Sequence, residues 1–302
     1  MSAQPQPQPQ PRRVENLHTD KGKVPVYATG IVPQPWDSYS DDDHATWATL
    51  FARQREILVG RASDAFLRAQ DAMGMTPDRI PKYSELNEAL GAATGWQLIG
   101  VEGLLPELDF FDHLANRRFP VTWWIRKPEQ IDYIEEPDLF HDLFGHVPLL
   151  MDPVFADYME AYGKGGVKAH AIGPEALQNL TRLYWYTVEF GLIREAAGLR
   201  IYGAGIVSSK GESIHSLESA APNHVGFDLE RIMRTRYRID SYQKTYFVID
   251  SFQQLMDATA PDFTPVYARL ASQDSIPAGQ VLASDRVDQR GTGEGWSSDG
   301  DV

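Results

Sequence analysis

Apolar side chains recur at helical spacing in two long stretches of this chain. The first follows Asp41-Asp42-Asp43, whose carboxylates suit a helix start, and precedes Gly60. The second opens at Pro174 and Glu175, a favourable pair for a first turn, with Gly198 as its stop. Their apolar stripes comprise Trp47, Leu50, Phe51, Ile57 and Leu58 in the first, and Leu177, Leu180, Tyr184 and Gly191 in the second.

Strand-like alternation is confined to short runs, for example 119–125 and 246–249. The chain shows neither the regular succession of strands and helices of a doubly wound sheet nor the many strands of a jelly roll. The pattern therefore predicts a mainly α fold with a small β component.

The two ends of the chain differ in composition from the rest. Residues 1–25 are rich in Pro and Gln and then charged, and residues 284–302 contain Asp, Gly, Ser and Arg with few apolar side chains. Such segments bury little surface, so the sequence predicts a flexible tail at each end. No linker-like composition or internal repeat divides 26–283, which we predict to be a single domain.

Composition excludes several classes of function. Of 302 residues, 42% are apolar, which is enough for a substantial core, and the net charge is −14, which disfavours nucleic acid and anionic lipid as partners. No apolar run approaches the ~20 residues of a membrane span, and no secretory signal opens the chain, so a cytoplasmic location is expected. Because the chain contains no Cys, any metal must be bound by His and carboxylate.

The densest cluster of chemically competent side chains lies around His141 and His146. The surrounding stretch, 128–163, contains nine acidic residues and no Lys or Arg, which favours a cation. On a regular helix, residues five apart point about 140° apart. Gly145 and Pro148 predict that the helix ends near His146, which would allow its imidazole to turn back beside His141. Spacing alone leaves two interpretations open: a metal site, or two histidines that are solvated or satisfied in the core.

Glu189 is the only charged residue in 183–193, where aromatic side chains surround it. A buried carboxylate is costly unless it meets a cation or strong hydrogen-bond donors. It could pair with a core arginine. Alternatively, it could complete a two-His, one-carboxylate metal site, a ligand set that suits non-haem Fe(II) oxygen chemistry.

These segments, together with 113–126 and 201–209, resemble the pterin-dependent aromatic amino acid hydroxylases, most closely the short bacterial phenylalanine 4-hydroxylases. The resemblance extends from about residue 33 to about residue 265. It implies a single catalytic domain of that type, containing Fe(II) and using a tetrahydropterin (tetrahydrobiopterin or a related pterin). It further implies that L-phenylalanine and O2 are converted to L-tyrosine and 4a-hydroxytetrahydropterin, as in phenylalanine catabolism.

The resemblance also implies roles for individual residues. Arg126 would pair with the substrate α-carboxylate, and Asp138 would hold that arginine. The iron ligands would be His141, His146 and Glu189, with Tyr184 beside the metal. The rest of the amino-acid pocket would comprise Pro137, Trp185, Gly205 and Ser208. The pterin site would comprise Gly103, Leu105, Phe110, which would stack on the pterin ring, and Asp142.

The chain departs from the animal members of the family at two positions. Asp142 stands where they carry Glu, and Ile134 stands where they carry Thr. The regulatory and tetramerisation segments of those proteins have no counterpart here, which implies a monomer. A pterin-recycling dehydratase is the expected partner for the released product.

Three other functions remain open at this point. A member of the same family could act on tryptophan or tyrosine, because the iron and pterin residues are shared among the three classes. The same ligands could hold zinc in a hydrolase. The chain could also be a non-catalytic amino-acid-binding protein.

Overall fold

The structure, a computed structural model, describes residues 13–19, 22–134 and 136–296. It confirms the prediction of a mainly α fold. None of the helices in these ranges is long and apolar enough to span a membrane. The helices are α1 (Asp41–Leu58), α2 (Asp64–Ala72), α3 (Tyr83–Ala93), α4 (Glu107–Ala115), α5 (Pro153–Ile172), α6 (Pro174–Tyr184), α7 (Ala204–Val207), α8 (Lys210–Glu218), α9 (Leu229–Arg234), α10 (Phe252–Thr259) and α11 (Thr264–Leu270).

The strands belong to three small sheets within the described ranges. The hairpin β1–β2 is antiparallel, the pair β3–β4 is parallel, and a five-stranded mixed sheet has the order β6-β5-β8-β7-β9. The strands are β1 (Arg13–Thr19), β2 (Gly22–Tyr27), β3 (Gln97–Val101), β4 (Arg118–Thr122), β5 (Leu192–Glu195), β6 (Gly198–Ile201), β7 (Asn223–Gly226), β8 (Thr245–Ile249) and β9 (Val287–Gln289).

The first predicted helix is confirmed as α1, but its cap is the residue before the aspartates. The Ser40 side chain accepts a hydrogen bond from the backbone N–H of Asp43, and the Asp43 carboxylate accepts one from the Ser40 N–H at 2.8 Å. This reciprocal pair satisfies two backbone donors at the helix start. Trp47 and Leu50 on the apolar stripe are fully buried, so α1 contributes directly to the core.

The second predicted helix is correct at its start and wrong at its end. α6 begins at Pro174 and continues as a π-helical turn over Trp185–Glu189, but the chain then enters the hairpin β5–β6 instead of reaching a stop at Gly198. A side chain at Gly191 would overlap with the ring of Tyr202 and the carbonyl oxygen of Thr187, so only glycine fits where the chain leaves this turn.

The ends of the described chain carry more regular structure than their composition indicates. Strands β1 and β2 pair antiparallel, and β9, within the expected C-terminal tail, pairs antiparallel with β7. Arg286, just before β9, forms an ion pair with Asp250 at 2.8 Å. Pairing between strands rests on backbone hydrogen bonds, which leave no apolar pattern in the sequence. The domain boundaries at 26 and 283 stay a prediction.

Close backbone packing joins α7 to the π-helical turn Trp185–Glu189 and to a second π-helical turn, His141–His146. Gly203, which caps α7, lies against the backbone of Glu189 and Gly191, where a methyl group would overlap with the Glu189 carbonyl oxygen. A Cβ at Gly145 would lie 2.9 Å from the carbonyl oxygen of Ala204. Small residues at these two positions therefore allow three short elements to meet.

Substituting Gly203 by alanine is expected to destabilise the protein by about 1–3 kcal/mol, the usual cost of overpacking. Its φ of −66° suits any residue, so the cost would come from the overlap alone. The matched control is Gly165→Ala in α5, where a Cβ meets nothing within 4 Å and should stabilise the helix by about 0.5–1 kcal/mol. Chemical unfolding of both variants tests this, and equal stabilities would refute the packing argument.

Candidate active site

His141 and His146 lie at the two ends of a single π-helical turn, His141–His146. A π-helix bonds residue i to residue i+5, so side chains five apart share one face. The imidazoles are adjacent, as predicted. The chain does not leave the helical conformation near His146, however, because the π-helical turn continues into a 3-10 turn, Val147–Met151. Pro148 lies in the first turn of that segment. The spacing of five, unsuitable on an α-helix, is therefore the correct spacing here.

Glu189 ends the second π-helical turn and faces the two imidazoles. Its carboxylate oxygens lie 3.0 Å from Nε2 of His146 and 3.7 Å from Nε2 of His141, and the two Nε2 atoms are 3.1 Å apart. Two ligands about 2.1 Å from one ion at right angles would be about 3 Å apart, so this spacing suits a common cation. Glu189 therefore contacts the two histidines, and the alternative interpretation, in which it pairs with a core arginine, does not hold.

Asp142 is a second carboxylate near the pair. One of its oxygens and the ligating nitrogens of both histidines lie within 4.8 Å of one another. Its Oδ2, however, accepts a hydrogen bond of 2.7 Å from the backbone N–H of Thr122 in β4. Glu189 lies closer to both imidazoles, so geometry favours Glu189 as the third ligand and Asp142 as a wall residue.

Ser208 determines which nitrogen of His141 carries the proton. The Ser208 hydroxyl donates its single proton to the carbonyl oxygen of Ala204 at 2.7 Å, and its Oγ lies 3.0 Å from Nδ1 of His141. The hydroxyl oxygen can therefore only accept from His141, which places the imidazole proton on Nδ1. Nε2 is left with its lone pair directed at Glu189 and His146, as a metal ligand requires.

Replacing Ser208 by alanine is expected to weaken metal binding by about 10- to 100-fold, the usual effect of losing a residue that orients a ligand. The control is Ser213→Ala, which removes a similarly buried hydroxyl that donates to Ile206 O at 2.7 Å. Titration of the stripped protein with Fe(II) measures both affinities. Equal affinities in the two variants would refute the role of Ser208.

Burial and the carboxylate set the protonation of the three candidate ligands. Burial lowers the pKa of His141 to about 4, so this imidazole is neutral near pH 7. Burial alone would lower the pKa of His146 as well, but the charge and hydrogen bond of Glu189 raise it above its ordinary value. Burial opposes ionisation of Glu189, yet the neighbouring His146 lowers its pKa. The site thus combines an ionised carboxylate with imidazoles, which is a competent set of metal donors.

Arg126 and Asp138 form a buried bidentate ion pair. Nε and Nη2 of Arg126 each donate to one oxygen of Asp138 at 2.9 Å, and the side chains are 6% and 0% exposed. Asp138 also accepts from the backbone N–H groups of Arg126 and His141 at 2.9 and 3.0 Å. One carboxylate therefore fixes both the guanidinium and the start of the His141–His146 turn.

Two cavities meet at two of the candidate ligands, His141 and Glu189, and His146 lines the smaller of them. The first, of about 880 Å³, and the second, of about 260 Å³, share His141, Glu189, Pro137 and Leu104 as wall residues. The residues expected for the amino acid line the first cavity: Arg126, Pro137, Trp185, Gly205 and Ser208, with Asp138 behind Arg126. The residues expected for the pterin, together with Tyr184, line the second: Gly103, Leu105, Phe110 and Asp142. The larger cavity will be called the substrate cavity and the smaller one the pterin cavity.

Side chains in the wall of each cavity pack against further buried side chains. In the pterin cavity, Phe110 meets Tyr184 edge to face at 5.8 Å between ring centroids, and Tyr184 lies near His146 at 6.2 Å. Ile134, a wall residue of the substrate cavity, also packs against a small buried cluster that contains Trp124. An apolar side chain at this position therefore contributes packing where a threonine hydroxyl would add polarity.

Sequence reasoning missed two buried residues of the substrate cavity, Glu212 and Gln243. Glu212 lies on α8, and Gln243 lies just before β8. Both are far along the chain from the histidines and belong to no recognisable motif. An acidic residue in a predicted helix is common on protein surfaces, so the sequence gives no sign that Glu212 is buried.

The family of biopterin-dependent aromatic amino acid hydroxylases matches residues 27–266 of this sequence. That match covers most of the chain and includes every candidate ligand, the whole smaller cavity, and the larger cavity apart from wall residues 294–296. The chain belongs to this family. The resemblance inferred from 33–265 is thereby confirmed.

Relatives of this hydroxylase are similar over nearly their whole length. The phenylalanine-4-hydroxylase of Chromobacterium violaceum is 63% identical over 90% of this chain and 91% of its own, and that of Ralstonia nicotianae is 61% identical over 89% and 85%. A crystal structure of the C. violaceum enzyme with bound iron(III) and oxidised 7,8-dihydrobiopterin superimposes with a TM-score of 0.82. It covers 86% of this chain and 93% of that chain at 62% identity.

The residues of this hydroxylase fit both iron and a biopterin. Two imidazoles and a carboxylate on one side of a site leave the opposite positions open, which is the ligand arrangement of non-haem Fe(II) oxygenases. The pterin cavity adjoins those ligands and offers an aromatic ring, Phe110, for stacking against a planar bicycle. The enzyme is thus an iron- and biopterin-dependent hydroxylase acting on a small-molecule substrate.

Proposed function

We propose that this chain converts L-phenylalanine, O2 and a tetrahydropterin to L-tyrosine and 4a-hydroxytetrahydropterin. One oxygen atom of O2 enters the amino acid and the other enters the pterin. The meeting of the two cavities at His141 and Glu189, with His146 in the wall of the smaller one, is the observation that carries the proposal. It gives an amino acid and a pterin separate sites with access to one metal.

In this proposal each side chain has a binding or orienting task. His141, His146 and Glu189 hold the iron, which together with the pterin supplies the oxygen-activating chemistry. Arg126, held by Asp138, binds the α-carboxylate of the substrate, and this contact directs the aromatic ring away from the guanidinium. The remaining wall residues exclude water from the ring: Pro137, Trp185, Gly205 and Ser208.

The pterin is assigned to the smaller cavity. Phe110 would stack on its ring, while Gly103 and Leu105 place backbone groups along the wall. Burial raises the pKa of Asp142 to about 7. Tyr184, whose pKa burial raises well above its ordinary value, stays protonated beside the ligands and has a supporting role.

Product analysis with metal-stripped protein tests the reaction. The protein would receive Fe(II) or Zn(II), a tetrahydropterin, and phenylalanine, tyrosine or tryptophan in turn under air. We expect tyrosine from phenylalanine only when Fe(II) and the pterin are both present. Hydroxylation of tyrosine or tryptophan instead would move the specificity within the family, and hydrolysis with Zn(II) would favour the zinc hydrolase. Binding of amino acids without turnover under any of these conditions would indicate a non-catalytic protein.

The resemblance also supports a monomer in the cytoplasm, with a pterin-recycling dehydratase acting on the released product. Light scattering during size-exclusion chromatography would test the monomer, with a mass near 33.9 kDa expected. Cell fractionation would test the location. Faster turnover of the pterin on addition of a purified dehydratase would test the coupling.

A further inference from the structure

The indole of Trp185 is held on several sides in the wall of the substrate cavity. It stacks on Tyr237, with 4.3 Å between ring centroids and 18° between planes, and it contacts Phe190 at 4.8 Å. Its Nε1–H donates a hydrogen bond of 2.9 Å to Oε1 of Gln243. Ring stacking is less directional than a hydrogen bond, so the bond from Nε1–H to Gln243 is the contact that specifies where the indole lies along the stack.

The side-chain amide of Gln243 has only one orientation that satisfies its neighbours. Its Nε2 donates to the carbonyl oxygen of Arg238 at 3.0 Å, so its Oε1 must face the Trp185 N–H. Gln243 is 3% exposed, whereas Ile239 and Tyr242 in the same loop are 70% and 50% exposed. Gln243 therefore attaches the exposed loop 239–242 to the cavity wall.

Glu212 holds the backbone of Gln243 from the opposite side. Its Oε1 accepts a hydrogen bond of 3.1 Å from the Gln243 backbone N–H and another from the hydroxyl of Tyr246. Burial raises the pKa of Glu212 to about 7. The three elements that meet here are α8, the start of β8 and the π-helical turn that carries Trp185 and Glu189. A buried and mutually satisfied network of this kind rigidifies the residues it joins.

We propose that Gln243, supported by Glu212, is a positioning residue that fixes the indole of Trp185 and thereby the place of the substrate's aromatic ring. This inference rests on the proposed function, because it assumes that the larger cavity takes the aromatic amino acid. Gln243 and Glu212 form their side-chain hydrogen bonds with residues other than His141, His146 and Glu189. The expected effect is therefore on substrate binding and ring placement, with the metal site unchanged.

The decisive variant is Gln243→Met, which nearly preserves the shape of the side chain and removes its amide. The backbone N–H to Glu212 remains. The substitution removes the hydrogen bond from the indole and the one to Arg238 O. Loss of the neutral hydrogen bond to the indole is expected to raise the KM and the calorimetric Kd for phenylalanine about three- to tenfold, with Fe(II) affinity unchanged. A displaced ring should also lower the amount of tyrosine formed per pterin oxidised.

A double-mutant cycle with Trp185→Phe separates positioning from a general structural effect. Phenylalanine at 185 has no N–H for Gln243 to accept, so Gln243→Met should change the Kd by less than about 1.5-fold in that background. Gln289→Met is the matched control. Gln289 lies in β9, at the edge of the five-stranded sheet, and donates to Ser219 O and Pro222 O at 3.0 and 2.9 Å. Loss of its amide should leave the Kd for phenylalanine at the wild-type value.

Two results would overturn the inference: an unchanged Kd in Gln243→Met, or the same increase with and without the Trp185 N–H. An increase in Gln289→Met equal to that in Gln243→Met would also refute it, because general destabilisation would then explain both. Failure of the proposed function gives a different result, since the wild-type protein would then form no tyrosine with Fe(II) and pterin.

Discussion

Replacing Glu189 by alanine is expected to weaken Fe(II) binding by more than about 100-fold and to abolish phenylalanine hydroxylation at ordinary iron concentrations. Loss of a residue that merely orients a ligand typically costs 10- to 100-fold in affinity, so loss of a ligand should cost more. The substitution also removes the only carboxylate within 3.0 Å of His146 Nε2, among the described residues. Metal analysis after dialysis and a tyrosine-formation assay measure the two effects.

The control for this experiment is the other nearby carboxylate. Asp142→Asn keeps the shape of the side chain and removes its charge, and we expect it to bind Fe(II) stoichiometrically because its oxygen is engaged by Thr122 N–H at 2.7 Å. Stoichiometric iron in Glu189→Ala, with iron lost from Asp142→Asn, would reverse the ligand assignment. Loss of iron from both would show that the two carboxylates bind it together.

The sequence predicted the candidate ligands better than it predicted the backbone that carries them. The spacing of five between His141 and His146 argues against a shared face on an α-helix, and Gly145 with Pro148 predicts a helix end near His146. A π-helical turn supplied the missing geometry. Such turns have no strong sequence signal, because one inserted residue in a helix changes the period only locally. The second π-helical turn, which carries Glu189, was missed for the same reason.

Contacts between distant segments were the other source of error. Trp185 could be assigned to the cavity from its resemblance to the family, but its acceptor, Gln243, lies 58 residues further along the chain. β9 was missed similarly, because its pairing with β7 depends on backbone hydrogen bonds and on Arg286 beside Asp250. Local apolar patterns determine helix positions well and say little about which polar residues meet in space.

The two cavities share wall residues, so these residues must suit the molecule bound in each cavity. The shared wall residues His141, Glu189 and Pro137 must serve an amino acid on one side and a pterin on the other. Gly203 and Gly145 allow α7 to approach both π-helical turns, because a side chain at either position would overlap with neighbouring backbone. Tight backbone packing holds the ligands at fixed separation before any substrate arrives, which is how a protein contributes to cofactor chemistry.

Arg126→Lys is expected to raise the KM for phenylalanine by about ten- to one-hundredfold with a smaller change in kcat. Arg126 already uses Nε and Nη2 on Asp138, and the planar guanidinium still has further N–H donors for a carboxylate in the substrate cavity. A lysine ammonium is a point charge that cannot make the same fork to Asp138 and also reach the substrate. Loss of hydrogen bonds between charged groups accounts for the size of the effect. Steady-state kinetics with saturating pterin measures it.

A second buried arginine separates this role from stability. Arg231 pairs with Asp285 at 3.0 Å, with side chains 5% and 3% exposed, so its burial resembles that of the Arg126–Asp138 pair. Arg231→Lys should lower the thermal stability much as Arg126→Lys does, because both break a bidentate contact in a buried setting. It should leave the KM at its wild-type value, since Arg231 does not line the substrate cavity. A KM unchanged in Arg126→Lys, or raised equally in both variants, would remove Arg126 from the proposed carboxylate site.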